Sequence, residues 1–177
     1  MTALVELVGE TMLRVDPRLS AEELAADVHR AAGVPRRIDD TVVVYLEKDL
    51  LLTRPAVLRR IARYVAELVP PGVDRLGSSV GLSLLLGTAV SLEIGLPLVV
   101  VDGDTVQGTW YPGEVVTPIE DIVLSGASAE TTVRSLRDVG LVVRDVVVAV
   151  DRAEGAATRL AANDVALRAV FALPMSA

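Results

Sequence analysis

The chain has 177 residues, 51% of them hydrophobic but only 3% aromatic, so one domain with a core of Val, Leu, Ile and Ala is expected. Its formal net charge of −7 argues against a general nucleic-acid or membrane-surface binder, while leaving room for a local basic pocket. The absence of cysteine excludes disulfides, thiolate catalysis and cysteine-ligated metals.

Residues 2–13 and 20–32 read as two short helices. Ser20 with Glu23 makes a capping box for the second, and Gly33 closes it. The only histidine, His29, lies in that pattern beside Arg30 and reads as a solvated helix residue. The N-terminus lacks the basic start, apolar core and cleavage site of a signal peptide, and no apolar run is long and uncharged enough to span a bilayer. A cytoplasmic protein is the expectation.

Arg36 and Arg37 read as a solvated loop before a strand, with a basic lip over a site as the alternative. "DDTVVVYLEKDLLL" is a strand-like run. Lys48, the only lysine, is either an exposed partner of Glu47 or Asp49 or a phosphate contact. A helix follows in "TRPAVLRRIARYVAELV", with Leu58, Ile61, Val65 and Leu68 on one face and arginines on the other.

"VDRLG" is a short strand that turns at Gly77, and residues 80–94 form a helix. Glu93, Gly95 and Pro97 separate it from the strand "PLVVV". "DGDTVQGTWYPGE" is turn-rich, with little regular structure expected. Trp110 and Tyr111 within it suit a packing cluster, a base cap or a dimer seam. "VVTPIED" is a third strand, interrupted by Pro118, and residues 128–139 are a helix ended by Gly140. "LVVRDVVVAVD" is a fourth strand and "DVALRAVFAL" a last one, at an edge.

All-apolar strands alternating with helices mean crossover units, a parallel sheet and an α/β fold. Residues 1–52 stand outside that alternation as a small helical and strand hood, and residues 53–177 form the core of the same single domain.

In an open parallel sheet, ligands bind where strands end and loops lead into helices. Glu120 and Asp121 stand at such an end. The turn after them, Ser125-Gly126-Ala127-Ser128, would point backbone N–H groups outward at the positive end of a helix, a cradle for phosphate. The acids would then face what lies beside the phosphate, and sugar hydroxyls, directly or through Mg²⁺, suit them. A 5-phosphorylated ribose satisfies both halves. An ordinary strand–turn–helix with Ser128 as its N-cap accounts for the same residues.

The stretch "EDIVLSGAS" resembles the phosphoribosyl-pyrophosphate signature of type I phosphoribosyltransferases, and most closely that of the orotate branch, Glu-Asp-Val-Ile-Thr-Thr-Gly-Gly-Ser. The later "DRAEG" turn and the Gly-x-x-x-Gly of "LGSSVG" are similar to segments of the same enzymes, and roughly residues 45–173 can be laid along the pattern. The resemblance implies a type I phosphoribosyltransferase-like parallel sheet flanked by helices. It implies transfer of ribose 5-phosphate from phosphoribosyl pyrophosphate to a nucleobase, orotate by analogy, with release of pyrophosphate. Glu120 and Asp121 would hold the ribose hydroxyls, and Ser125, Gly126, Ala127 and Ser128 the 5-phosphate. Gly77, Ser78, Ser79 and Gly81 would meet the pyrophosphate, while Arg152 and Leu124 would border the base. Mg²⁺ would arrive with phosphoribosyl pyrophosphate rather than on a direct protein ligand, and the protein would be a homodimer.

The chain also departs from the family pattern. The family's mobile loop, rich in Lys and containing His-Gly, corresponds here to "DGDTVQGTWYPGE", which has no Lys, Arg or His and carries Asp102 and Asp104. Leu124 replaces a threonine, and the Ser-Gly-Lys-x-Ser-Pro-Tyr-Tyr segment has no counterpart in "RRIDDTVVVYLEKD". These departures open a second reading, a homologue that binds phosphoribosyl pyrophosphate or a nucleotide for regulation with impaired catalysis.

Overall fold

The computed structural model describes residues 33–38, 41–46 and 52–172, the first two stretches by their backbone alone. The helices expected at 2–13 and 20–32, with Ser20, Glu23 and His29, lie outside the described residues, as does Lys48. Strands β1 (Gly33–Ile38) and β2 (Thr41–Leu46) pair antiparallel as a separate two-stranded sheet. Arg36 and Arg37 therefore lie on a strand and not in a loop, opposite Val43 and Val42.

The main sheet has six strands in the order β5-β4-β3-β6-β7-β8. They are β3 (Arg75–Ser79), β4 (Leu98–Asp102), β5 (Thr105–Gln107), β6 (Val116–Val123), β7 (Asp145–Asp151) and β8 (Ala166–Ala172). All neighbours run parallel except β5, which is antiparallel to β4, so the expected parallel sheet carries one reversed edge strand. The segment after β4, expected to hold little regular structure, forms this one three-residue strand. Gly103, at φ +57, makes with Asp104 a two-residue turn that reverses the chain. Val106 then buries itself among the core residues while Thr105 and Gln107 stay outside. β8 is the other edge, as expected.

Helices cover both faces. Helices α1 (Pro55–Leu68) and α2 (Leu82–Ile94) contribute Val57, Ile61, Val65, Leu86 and Val90 to one core with Leu76, Ile119 and Val147. Helices α3 (Ala127–Asp138) and α4 (Ala156–Ala161) contribute Val133, Leu136 and Leu160 to another with Val99, Val116, Val146 and Val148. Adjacent valines of β7 thus serve opposite faces, which is why its whole run is apolar. The short α4 was not legible in the periodicity. On α1 the arginines do not all face solvent, because Arg60 is buried beside Val57 and Ile61 with no hydrogen-bond partner for its terminal nitrogens among the described residues.

Pro118 does not break β6. It falls between the pairs Val115↔Val142 and Ile119↔Val147, where four steps along one strand match five along the other. The missing N–H therefore sits at an offset in the ladder, where its loss is tolerated.

At the end of the sheet opposite the strands' carboxyl termini, Arg75 donates to Glu114 and to the Thr109 carbonyl, and Glu114 also accepts the Tyr111 N–H at 2.6 Å. The Arg75 guanidinium holds the Glu114 carboxyl below the usual carboxylate range. This network fixes the segment carrying Trp110, which packs against the core, and Tyr111, which is exposed. Both lie toward the amino end of β3, away from the carboxyl ends of the parallel strands, and for Trp110 the packing-cluster alternative is the one realised.

Candidate active site

The carboxyl ends of β3 and β6 and the first turns of α2 and α3 meet at one place. β6 extends to Val123, so Glu120 and Asp121 lie within the strand, both buried at 4% and 3% exposure. Three hydroxyls surround Glu120. Ser83 and Ser79 lie 3.0 and 3.3 Å from Oε2, and Thr132 lies 3.3 Å from Oε1. Asp121 Oδ1 accepts the Ile122 N–H at 2.7 Å and lies 3.0 Å from Ser83 Oγ. Burial above all pushes the Glu120 carboxyl up from its ordinary range, and the neighbouring Asp121 charge pushes the same way. Hydrogen bonds from Ser83, Thr132 and Ser79 oppose this.

The loop after β6 is shaped by Gly126. Its φ of +79 is a left-handed conformation, and a Cβ there would meet the Ala156 Cα at 2.9 Å. Gly126 is the N-cap of α3 without a side-chain cap, and its carbonyl accepts the Glu130 N–H at 2.9 Å. Ser128 is thus one residue inside the helix and not its N-cap. The N–H groups of Ala127, Ser128 and Ala129 precede the first intrahelical bond. Ser125, Ala127 and Ser128 are exposed, as an anion cradle requires. Arg159 of α4 braces the loop, donating from Nε to the Ser125 carbonyl at 2.9 Å and pairing with Glu130 at 3.0 Å.

The segment assigned to pyrophosphate is divided by the fold. Gly77 and Ser78 are buried inside β3, which continues to Ser79 instead of turning at Gly77. A Cβ on Gly77 would meet Leu136 at 3.1 Å, so this glycine serves close packing. Ser79, Val80 and Gly81 are the part that reaches solvent, and Gly81 has φ +102 with nothing near its absent side chain. Arg152 follows β7, is buried, and donates its N–H to the Val123 carbonyl at 2.9 Å. This bond sets Arg152 beside the strand end from which the exposed Leu124 emerges.

Ser83, Thr132 and Arg159 were not singled out by sequence reading. Ser83 and Thr132 are isolated hydroxyls in helical patterns, and only the crossing of α2 and α3 over β6 brings them to Glu120. Among the described residues no three His, Asp or Glu side chains gather where they could hold a metal by themselves. No helix of the described residues is long and apolar enough to cross a membrane.

No family model matches the chain. It is 34% identical to an orotate phosphoribosyltransferase from Methanocella arvoryzae over 135 residues, covering 71% of this chain and 77% of that one. It is 30% identical to the orotate phosphoribosyltransferase of Chlamydia pneumoniae over 142 residues, 74% of this chain and 68% of the other. Among solved structures it is similar to the orotate phosphoribosyltransferase of Mycobacterium tuberculosis in complex with inorganic phosphate, with a TM-score of 0.77 and 28% identity over 86% of this chain and 95% of that one. The same enzyme with 5-phospho-α-D-ribosyl 1-diphosphate gives a TM-score of 0.75. An adenine phosphoribosyltransferase from Leishmania tarentolae, at 14% identity and a TM-score of 0.65, shares the fold. At 34% identity over 71% of its own length and 77% of the relative's, the chain belongs to the orotate phosphoribosyltransferase family of glycosyltransferases.

Proposed function

We propose that the protein transfers ribose 5-phosphate from phosphoribosyl pyrophosphate to a nucleobase, orotate by family analogy, and releases pyrophosphate. The observation that carries this reading is the juxtaposition of two buried carboxylates with an exposed glycine loop opening α3. The loop offers N–H groups to the 5-phosphate, and Asp121 and Glu120 offer acceptors to the ribose hydroxyls. Ser79 to Gly81 would approach the pyrophosphate, and Arg152 with Leu124 would border the base. Carboxylates beside the sugar would also stabilise positive charge developing at the anomeric carbon. Mg²⁺ enters in this reading with its substrate, since it keeps waters and is commonly held through substrate phosphates.

Residues 1–52 are proposed as the hood over this site, and the protein as a cytoplasmic homodimer. Support for the dimer comes from α2, which leaves Leu85 and Leu92 exposed at 40% and 81%. The regulatory reading is not favoured, because the relatives named above are orotate phosphoribosyltransferases. Calorimetric titration with phosphoribosyl pyrophosphate and Mg²⁺, followed by orotate-dependent pyrophosphate release, tests the proposal. Failure to bind would sink it, and binding without turnover of any base would reinstate the regulatory reading.

The turn between β4 and β5 bears on the departing group. Asp102 and Asp104 are exposed there, and Ser135 Oγ holds the turn by donating to the Gly103 carbonyl at 2.9 Å. Two acids repel pyrophosphate where a cation would attract it. Asp104→Lys should therefore tighten pyrophosphate binding by about three- to tenfold at low salt, an effect that shrinks as salt is raised. Unchanged product-inhibition constants would show that the turn lies beyond electrostatic reach of the leaving group.

A further inference from the structure

The short helix α4 meets the head of α3 along one side. Ala156 and Arg159 are three positions apart on α4, so they face the same way, and Asn163 follows one turn later. Ala156 lies against Gly126, where a Cβ would meet the Ala156 Cα at 2.9 Å. From there Arg159 donates from Nε to the Ser125 carbonyl at 2.9 Å and from Nη1 to Glu130 Oε2 at 3.0 Å. Asn163 Nδ2 donates to Glu130 Oε1 at 3.0 Å and to the Arg159 carbonyl at 3.1 Å, which closes the network. These hydrogen bonds, that of Arg159 first and that of Asn163 next, hold the Glu130 carboxyl below the usual carboxylate range.

Two features of the loop make this network matter to an anion. The carbonyl and the N–H across a trans peptide bond point in opposite directions, so a Ser125 carbonyl turned to Arg159 sends the Gly126 N–H away from it. A carbonyl released from Arg159 is free to turn toward an incoming phosphate, which it repels. Glu130 stands in the first turn of α3, where the positive end of the helix favours an acid and where a phosphate would also sit. An unpaired Glu130 competes with the phosphate for that end. We infer that Arg159 is the positioning residue of the 5-phosphate loop: it pins the Ser125–Gly126 peptide so that N–H groups face the anion, and it cancels the Glu130 charge beside them. The inference rests on the phosphate-loop reading proposed above.

The test titrates inorganic phosphate and phosphoribosyl pyrophosphate into the wild type, Arg159→Ala, Arg159→Lys, Glu130→Gln and the double variant Arg159→Ala/Glu130→Gln, at low and high salt. Arg159→Ala should weaken both ligands by about tenfold, since both depend on the loop. Glu130→Gln should tighten both by about two- to fivefold at low salt, and the gain should shrink as salt is raised. The double variant has the net charge of the wild type, so it should recover part of the loss, and the remainder measures the pinned peptide. Arg159→Lys keeps the charge without the Nε donor and should also recover only part. The ion pair is partly exposed and such pairs add little to stability, so every variant should melt close to the wild type. Phosphate affinity within about twofold of the wild type in Arg159→Ala overturns the inference. So does weaker phosphate binding by Glu130→Gln, or a double variant no better than Arg159→Ala. An Arg159→Ala chain that does not fold overturns it as well, because the arginine is then structural. A wild type that binds neither ligand removes the phosphate-loop reading itself, and this inference with it. Equal binding by the wild type and Arg159→Ala removes only the role of Arg159.

Discussion

Gly126→Ala is expected to lower stability by about 2–5 kcal/mol and to abolish phosphate binding at the α3 loop. Two separate costs add. A left-handed backbone is disfavoured by about 1–2 kcal/mol once a Cβ is present. The new methyl also enters space occupied by Ala156, whose Cα would stand 2.9 Å away and whose Cβ would stand 3.2 Å away. Backbone cannot yield as a flexible side-chain end does, so overpacking adds about 1–3 kcal/mol. Relief would come by parting α3 from α4, which moves Ser125 off the Arg159 guanidinium and spoils the loop. Gly155→Ala is the control, since its φ is +102 but its Cβ would meet nothing within 4 Å. It should show only the backbone part. Equal denaturation midpoints for the two variants would refute the steric argument.

Glu120→Gln should make the protein more stable above the ordinary carboxylate range and worse at its proposed work. Burial raises the folded pKa of Glu120 above its ordinary value of 4.5, and the Asp121 charge adds to the effect. The folded chain then keeps a proton that the unfolded chain gives up. The stability tied to this group is full below the unfolded pKa and declines as pH rises through the folded one. Each pKa unit of difference is worth about 1.4 kcal/mol. A neutral amide of the same shape cannot ionise, and the hydroxyls of Ser79, Ser83 and Thr132 can both donate to it and accept from it. The variant's stability should be flatter as pH rises above the ordinary carboxylate value of 4.5, and higher at the upper end. Affinity for phosphoribosyl pyrophosphate should fall by about ten- to a hundredfold, because an ionised acceptor for a sugar hydroxyl is gone. Thermal unfolding across pH, paired with calorimetry, reads both effects. A variant less stable than the wild type at pH 8 would show that the ionised carboxylate is fully satisfied by its hydroxyls.

Several features were legible because they rest on local pattern. The valine runs of β4, β6 and β7 signal strands buried on both faces, and the small residues after Leu124 signal a turn into a helix. Glu120-Asp121 followed by Ser125-Gly126-Ala127-Ser128 marks the end of a strand and the turn that opens the next helix. Other features escaped for stated reasons. β5 has three residues, too few for a period to appear, and α4 has six. The hairpin of β1 and β2 was half seen, because Val34, Pro35, Arg36 and Arg37 show no alternation of apolar and polar residues.

By itself, then, the chain determined an α/β sheet, its main helices and the segment that carries the acids and the glycine loop, since apolar runs, turn residues and small residues act within a few positions of one another. Only the tertiary structure decided that Glu120 and Asp121 are buried, that Gly77 packs against Leu136, and that Ser83, Thr132 and Arg159 complete the site. The hydrogen bonds of Ser83, Thr132 and Arg159 among them join residues 12 to 38 positions apart, and their distances depend on how helices cross strands, which no local pattern encodes.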